Sequence, residues 1–180
     1  MFQSFEKKLE EILGIKYISK ENEKEDSKKE FYELAKGAQN TVFVVAGELT
    51  SRLYDAEFPG IIAEKIRENE NFKVNLLFSK TASSRDEAIA KIKEENPKIV
   101  SVFRNNSKNI KMYLAKKRPR FHFDIFDNNL RLEKPHKAGD SKAVLVERNK
   151  KEMAEKYQEY FKKMCERKEI VSELFPEEFK

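Results

Sequence analysis

The two histidines of the chain, His122 and His136, lie in one short stretch, residues 121–136, together with Asp124. Apolar side chains alternate along the first arm of this stretch, which is typical of a β-strand and places His122 and Asp124 on the same face. Imidazole and carboxylate groups gathered at one place can transfer protons, act as nucleophiles or bind a metal. We therefore take His122, Asp124 and His136 as candidate catalytic residues.

A β-hairpin is the arrangement that would bring these groups together. Residues 127–129, Asp-Asn-Asn, predict its turn, because these residue types tolerate left-handed backbone and hydrogen-bond locally. If the chain folds back there, counting along both arms places His122 opposite Pro135 and close to His136. Two imidazoles and a carboxylate would then converge at one end of the hairpin.

Two other interpretations of these residues stay open. His122 and Asp124 on one strand face could be a hydrogen-bonded pair whose role is to hold the hairpin. Alternatively, His122, Asp124 and His136 supply two imidazoles and one carboxylate, a ligand set suited to zinc or iron.

The stretch before the hairpin, residues 101–120, is basic and contains no acidic residue. A segregated cluster of cations attracts phosphate backbones by releasing counterions, and Phe103 and Tyr113 could offer stacking faces for bases. The alternative interpretation is a solvated loop. The candidate nucleic-acid-binding residues are Arg104, Lys108, Lys111, Lys116, Lys117, Arg118 and Arg120.

Composition limits the classes of protein to consider. The 180 residues suit one domain, and 37 basic against 32 acidic residues give a net charge of +5. Cys165 is the single cysteine, so we expect no internal disulfide and a reducing, cytoplasmic location. We expect no membrane span or secretory signal, because no apolar run has the required length. No glycine-rich phosphate loop or Cys-x-x-Cys pair is present, so no cofactor is predicted.

The elements that must position the candidate residues follow from the apolar patterns. The predicted strands cover residues 41–46, 72–79, 99–103, 110–115, 121–126, 130–133 and 143–147. The first three alternate with helices, which indicates parallel pairing through right-handed crossovers. The last four are joined by turns. We therefore predict an α/β fold with a mixed, mostly parallel central sheet flanked by helices.

Polarity changes along the chain suggest three parts. Residues 1–26 are predicted to form an N-terminal amphipathic helix, over 2–13, and a polar connector. This helix could pack on the domain or on a partner subunit. Residues 27–168 form the α/β domain, and residues 169–180 are predicted to be a C-terminal tail.

The order of elements, the hairpin and the closing helix resemble one half of a phospholipase D-like domain, over roughly residues 28–165. The motif of that family is His-x-Lys, four residues, Asp or Asn, then six residues and Gly-Ser-x-Asn. His122 matches the histidine, and Asn129 falls at the Asp/Asn position. The resemblance implies that His122 is a nucleophile for a phosphoryl group, and it adds Asn129 to the candidate catalytic residues. It also implies a homodimer, since the half-domains of the family act in pairs.

The chain departs from the motif at two places. Asp124 stands where the family has the lysine that holds phosphate oxygens, and residues 136–139, His-Lys-Ala-Gly, replace Gly-Ser-x-Asn. Two unit charges about 4 Å apart interact by roughly 4 kcal/mol at an effective dielectric of 20. A lysine would attract the phosphate by this amount, whereas a carboxylate in its place would repel the phosphate by a similar amount. We expect impaired phosphodiester cleavage unless Lys134, Lys137 or Lys142 compensates.

These observations predict a phospholipase D-like protein that recognises a phosphate-rich ligand, DNA or RNA, with altered or lost phosphodiesterase activity. One alternative is an active phosphodiesterase or nuclease that uses His122 across a homodimer. The other is the metal site formed by His122, Asp124 and His136.

Overall fold

A β-sheet of eight strands forms the centre of the computed structural model, which describes residues 13–18, 23–47, 53–79, 82–119, 121–133 and 144–180. The strands are β1 Ile15–Ile18, β2 Thr41–Val45, β3 Lys73–Ser79, β4 Ile110–Ala115, β5 His122–Phe126, β6 Asn129–Glu133, β7 Val144–Glu147 and β8 Val171–Leu174. The helices are α1 Glu23–Gly37, α2 Phe58–Glu68, α3 Arg85–Glu95, α4 Pro97–Asn105, α5 Lys151–Glu166 and a 3-10 turn at Pro176–Phe179. No helix within the described ranges has the length and apolarity that crossing a bilayer requires.

The strand order across the sheet is β1-β7-β6-β5-β2-β3-β4-β8, which puts the hairpin strand β5 near the middle. Among the described strands, β2, β3 and β4 are parallel, and every other neighbouring pair is antiparallel. The predicted α/β fold with flanking helices is confirmed. The prediction of a mostly parallel sheet is wrong, because short turns can join only antiparallel strands and they connect much of the C-terminal half.

Residues 99–103 form part of helix α4 and not the strand that the apolar run predicted. Pro97 stands in the first turn of α4, where its fixed φ and missing N–H are tolerated. Ile99, Val100 and Phe103 share one buried face of the helix, and the buried carboxylate of Asp55 accepts the backbone N–H of Ile99 at 2.9 Å. The third parallel strand is β4, which follows this helix.

Helices cover both faces of the sheet. Val42 and Val44 of β2 lie in the larger core, with α1 to α4, whereas Phe43 lies in a second core, against Phe161 of α5. The sheet is therefore buried on both sides where β2 and β5 run next to each other.

Elements of the fold lie outside the predicted domain bounds, residues 27–168, on both sides. The predicted N-terminal helix lies outside the described residues except for Leu13, and part of the predicted connector belongs to α1. Within residues 169–180, β8 pairs with β4 and the ring of Phe179 packs on Phe103 at 5.8 Å between centroids. Arg85 forms an ion pair with Glu178 at 2.8 Å, which ties this segment to α3.

The hairpin of β5 and β6 is present, with a tighter turn than residue counting suggested. Asp127 and Asn128 form its two-residue loop, and the φ of Asp127 is 53°. Consequently His122 lies opposite Glu133 and not opposite Pro135. The shift of two positions leaves every side chain on its predicted face and changes only the cross-strand partner.

The carboxylate of Asp127 fixes this turn to another part of the chain. Its oxygen atoms accept the backbone N–H groups of Gln39, Asn40 and Thr41 at 2.6, 3.0 and 2.8 Å. The loop before β2 and the hairpin turn are therefore held together, and with them the pairing of β2 and β5.

We expect Asp127→Asn to lower the free energy of unfolding by about 1–3 kcal/mol, because an amide nitrogen would replace one charged acceptor facing backbone N–H groups. Asn tolerates the left-handed backbone at this position, so the effect reports the hydrogen bonds. Urea unfolding measures it. Asn128→Ala, at the exposed neighbouring position, is the control and should have little effect. Equal effects of the two substitutions would contradict this role of Asp127.

Candidate functional site

His122 lies at the end of the sheet where the parallel strands terminate. Strand β5 runs antiparallel to β2, so the start of β5 meets the residues that follow β2. One of these is the buried Gly47, and a Cβ atom there would lie 2.8 Å from Cε1 and 2.9 Å from Nε2 of His122. Any residue with a Cβ atom would force the imidazole ring to shift from this position. The Nε2 edge of His122 therefore packs against the end of β2.

The other ring nitrogen of His122 faces Glu133. Nδ1 lies 3.4 Å from Oε2 of Glu133, and both side chains are largely buried. A carboxylate at this position favours the tautomer that carries its proton on Nδ1. Nε2 is then the unprotonated nitrogen, which can accept a proton or attack an electrophile.

Asp124 is buried and bound to a cation. Its Oδ2 accepts a hydrogen bond from Nη1 of Arg131 at 2.6 Å, and the hydroxyl of Tyr54 lies 3.4 Å from Oδ1. Burial raises the pKa of Asp124 to about 6, although the charge of Arg131 opposes the shift. Burial lowers the pKa of Arg131, but the attraction of Asp124 and Glu133 outweighs this effect and raises the pKa above its ordinary value. The negative charge of Asp124 is therefore paired with Arg131 in the interior of the protein.

Arg131 connects Asp124 to the histidine. Its guanidinium group also donates to Glu133 at 3.1 Å and to the hydroxyl of Ser27 in α1 at 2.6 Å. Arg131 holds the carboxylate of Glu133, and this carboxylate in turn contacts His122. We call Asp124, Arg131, Glu133 and His122 the hairpin charge network.

Sequence reasoning missed Arg131, Glu133 and Gly47. A signal for the first two was present, because alternation on the second arm places Arg131 and Glu133 on the face of His122 and Asp124. With the two-residue turn, Asp124 lies directly opposite Arg131. The suggested His122–Asp124 pair is replaced by two cross-strand pairs, His122 with Glu133 and Asp124 with Arg131.

The other two candidate catalytic residues are not part of this arrangement. Asn129 starts β6 at the opposite end of the hairpin, where its amide donates to the carbonyl of Phe126 at 2.9 Å and accepts the N–H of Asn149 at 3.0 Å. It is therefore a turn residue, distant from His122. His136 lies outside the described residues. Within those residues, no three histidine, cysteine or carboxylate side chains converge as metal ligands do.

Strand β4 divides the candidate nucleic-acid-binding residues into groups. The exposed residues Lys116, Lys117 and Arg118 follow β4 and lie at the same end of the sheet as His122. Arg104 and Lys108 precede β4, at the opposite end. The two further residues of the set are Lys111, on the side of β4 that faces α5, and Arg120, outside the described residues.

Comparison with known proteins identifies the fold. NucT from Helicobacter pylori matches 84% of this chain and 95% of its own, with 15% identity and a TM-score of 0.56. Nuc from Salmonella typhimurium, a phospholipase D family member, matches 89% of this chain and 95% of its own, with 12% identity and a TM-score of 0.57. TrmBL2, an archaeal chromatin protein with a novel mode of DNA binding, matches 92% of this chain and 59% of its own, with 10% identity and a TM-score of 0.59.

The fold is thus phospholipase D-like, as the resemblance implied. The sequence matches no protein-family model and none of the curated proteins compared with it. At these identities the similarity concerns the fold, and any function has to be argued from the site.

We expect Arg131→Met to destabilise the protein by about 3–5 kcal/mol, because it leaves the buried carboxylate of Asp124 without its cation. Urea unfolding measures the change. Arg67→Met is the matched control, because Arg67 forms only an exposed ion pair with Glu64 and such pairs contribute little. The double variant Asp124→Asn/Arg131→Met should recover part of the loss. If Arg131→Met unfolds at the same urea concentration as Arg67→Met, the buried pair is not a structural constraint.

Proposed function

We propose that this protein binds nucleic acid through phosphate groups, at the end of the sheet that carries His122. The observation that carries the proposal is the position of Arg118, an exposed cation that packs on the same glycine as His122, with the exposed Lys116 and Lys117 directly before it at this end of the sheet. Arg118 lies next to the candidate nucleophile, so a phosphodiester bound there would meet both, and the two lysines would add to the attraction for neighbouring phosphates.

The similarity of fold is consistent with this proposal. TrmBL2 is described as a chromatin protein that binds DNA, and Nuc as a member of the phospholipase D family. In this chain the site is altered, because a buried Asp124–Arg131 pair stands where the family motif has its lysine. Recognition of the phosphate backbone by surface cations does not depend on that lysine.

Binding should weaken steeply with salt, and the slope should depend on which cations are removed. In a plot of log affinity against log salt for a short labelled oligonucleotide, replacing Lys116, Lys117 and Arg118 by Ala should lower the slope by about 2–3, since each lost phosphate contact contributes about 0.7–0.9. Fluorescence anisotropy measures the affinities on single- and double-stranded probes.

The control removes the same number of charges elsewhere. Replacing Arg104, Lys108 and Lys111 by Ala should leave the slope close to that of the parent protein, because these residues lie away from His122. If both triple variants flatten the slope equally, the protein attracts nucleic acid only through its net charge. Binding that does not respond to salt would exclude the proposal.

A second candidate function is metal-independent phosphodiester hydrolysis. The contact between His122 and Glu133 favours it, because a carboxylate on Nδ1 prepares Nε2 as a nucleophile. Nε2 would form a bond to phosphorus while the bond to the leaving oxygen breaks. Water would then attack phosphorus and release the histidine. In the proposed homodimer, the His122 of a second copy, protonated on Nε2, would give this proton to the leaving oxygen and then take a proton from the attacking water.

We expect cleavage of bis(4-nitrophenyl) phosphate in EDTA, with loss of turnover in His122→Ala and a reduction of about tenfold or more in Glu133→Gln. His136→Ala should retain activity. If EDTA abolishes turnover and both histidines are needed, the metal site of His122, Asp124 and His136 is the better explanation. Absence of turnover in the parent protein leaves binding alone as the function.

The homodimer has its own test. Light scattering on the purified protein should give twice the chain mass of 21.2 kDa, at the concentration used for the rate measurements. A monomeric mass would remove the second histidine, and with it the proposed source of the proton.

A further inference from the structure

We propose that Arg118 is the residue that holds phosphate oxygens beside His122, and that Gly47 provides the space in which the two side chains meet. The site would take a tetrahedral phosphate oxyanion, as a monoester or as one unit of a phosphodiester. This inference rests on the proposed function, because it names the group that would bind the phosphate at that same histidine.

The geometry around Gly47 brings the two residues together. A Cβ atom at this position would lie 2.5 Å from Nε of Arg118 and 2.9 Å from Nε2 of His122. Both nitrogen atoms therefore approach the same point, near enough to each other for one phosphate to contact both. The space that a side chain would occupy is shared by a guanidinium and an imidazole.

Gly47 is itself fixed. Its carbonyl oxygen accepts the hydroxyl of Ser79 at 2.6 Å and the backbone N–H of Ser79 at 3.2 Å. These bonds attach the end of β2 to the end of β3, so the backbone on which Arg118 and His122 pack belongs to the parallel part of the sheet. A site supported by strands holds its groups more precisely than a site built only from loops.

The backbone of Arg118 is restricted as well. Pro119 follows it, and a residue before proline is confined to extended conformations. Among the described residues, no carboxylate forms an ion pair with Arg118. Its guanidinium group, with five N–H donors in a planar fork, is suited to bidentate binding of a phosphate.

An anion beside His122 needs a cation from outside the hairpin charge network. Arg131 is buried and forms ion pairs with Asp124 and Glu133, so its positive charge is directed at those carboxylates. Arg118 packs on the same glycine as His122 and is exposed, so it can place a positive charge next to the ring.

Imidazole NMR on ¹⁵N-histidine-labelled protein tests the inference with inorganic phosphate as the probe. The chain contains two histidines, so His136→Gln assigns the signals of His122. We expect phosphate to shift the His122 signals saturably in the parent protein. Arg118→Ala should weaken this binding at least tenfold, and Arg118→Lys less, because a lysine keeps the charge but loses the bidentate fork.

Arg67→Ala is the matched control, because it removes one exposed arginine near the end of α2, which precedes β3 and so lies at the opposite end of the sheet from His122. It should bind phosphate nearly as the parent protein does. Gly47→Ala should abolish binding with no change in charge, because its Cβ would separate Arg118 from His122. Equal losses in Arg118→Ala and Arg67→Ala would overturn the inference, and so would parent-like binding in Arg118→Ala.

The circular dichroism spectrum establishes whether Gly47→Ala folds. If it does not fold, the comparison of Arg118→Ala with Arg67→Ala tests the inference. The outcome is separable from that of the proposed function. Phosphate-dependent shifts that require Arg118, in a protein that binds no oligonucleotide, support the site and reject nucleic acid as its ligand. Salt-dependent oligonucleotide binding with no phosphate effect on His122 supports nucleic-acid binding and rejects the site.

Discussion

The buried ion pair between Asp124 and Arg131 constrains much of the structure around it. Each charge loses several kcal/mol of hydration in the interior, and this loss is offset only when both groups are paired and hydrogen-bonded. Tyr54 contributes to the pairing on the Asp124 side and Ser27 on the Arg131 side. The pair therefore requires the β5–β6 register and the packing of α1 at the same time. A slip of this hairpin by one residue would leave two unpaired charges inside the protein.

The same pair determines how His122 is presented. Arg131 holds Glu133, and Glu133 occupies the Nδ1 side of the ring, so the orientation of the histidine depends on a buried cation. At the other end of the hairpin, Asp127 binds the backbone of residues 39–41. The hairpin is thus fixed by charged groups at both ends, which is the rigidity that a site on a strand requires.

The sequence predicted the parts of this arrangement that depend on local pattern. Alternation along residues 121–125 placed His122 and Asp124 on one face, and the Asp-Asn-Asn segment located the turn. The exact partner of His122 was not predictable in this way, because it depends on the length of the turn. Asp127 of this turn binds the backbone of a loop that is distant in sequence, and local pattern does not reveal such a contact. The run at residues 99–103 was misassigned, since a short apolar run fits a strand or a helix and only its buried contacts distinguish them. The basic residues looked continuous in sequence, yet the length of β4 separates them in space.

The exchange of a motif lysine for Asp124 has a different meaning in the folded protein than in the sequence. In sequence it places a negative charge where a phosphate would bind. In the structure that charge is buried and neutralised by Arg131, so it neither attracts nor repels a ligand strongly. The exchange removes a cation from strand β5, two residues after His122. A phosphate site then needs a cation from another element, and Gly47 allows Arg118 of the β4–β5 connection to approach the ring. The absence of a side chain at Gly47 is therefore as important to the proposed chemistry as the charged residues are.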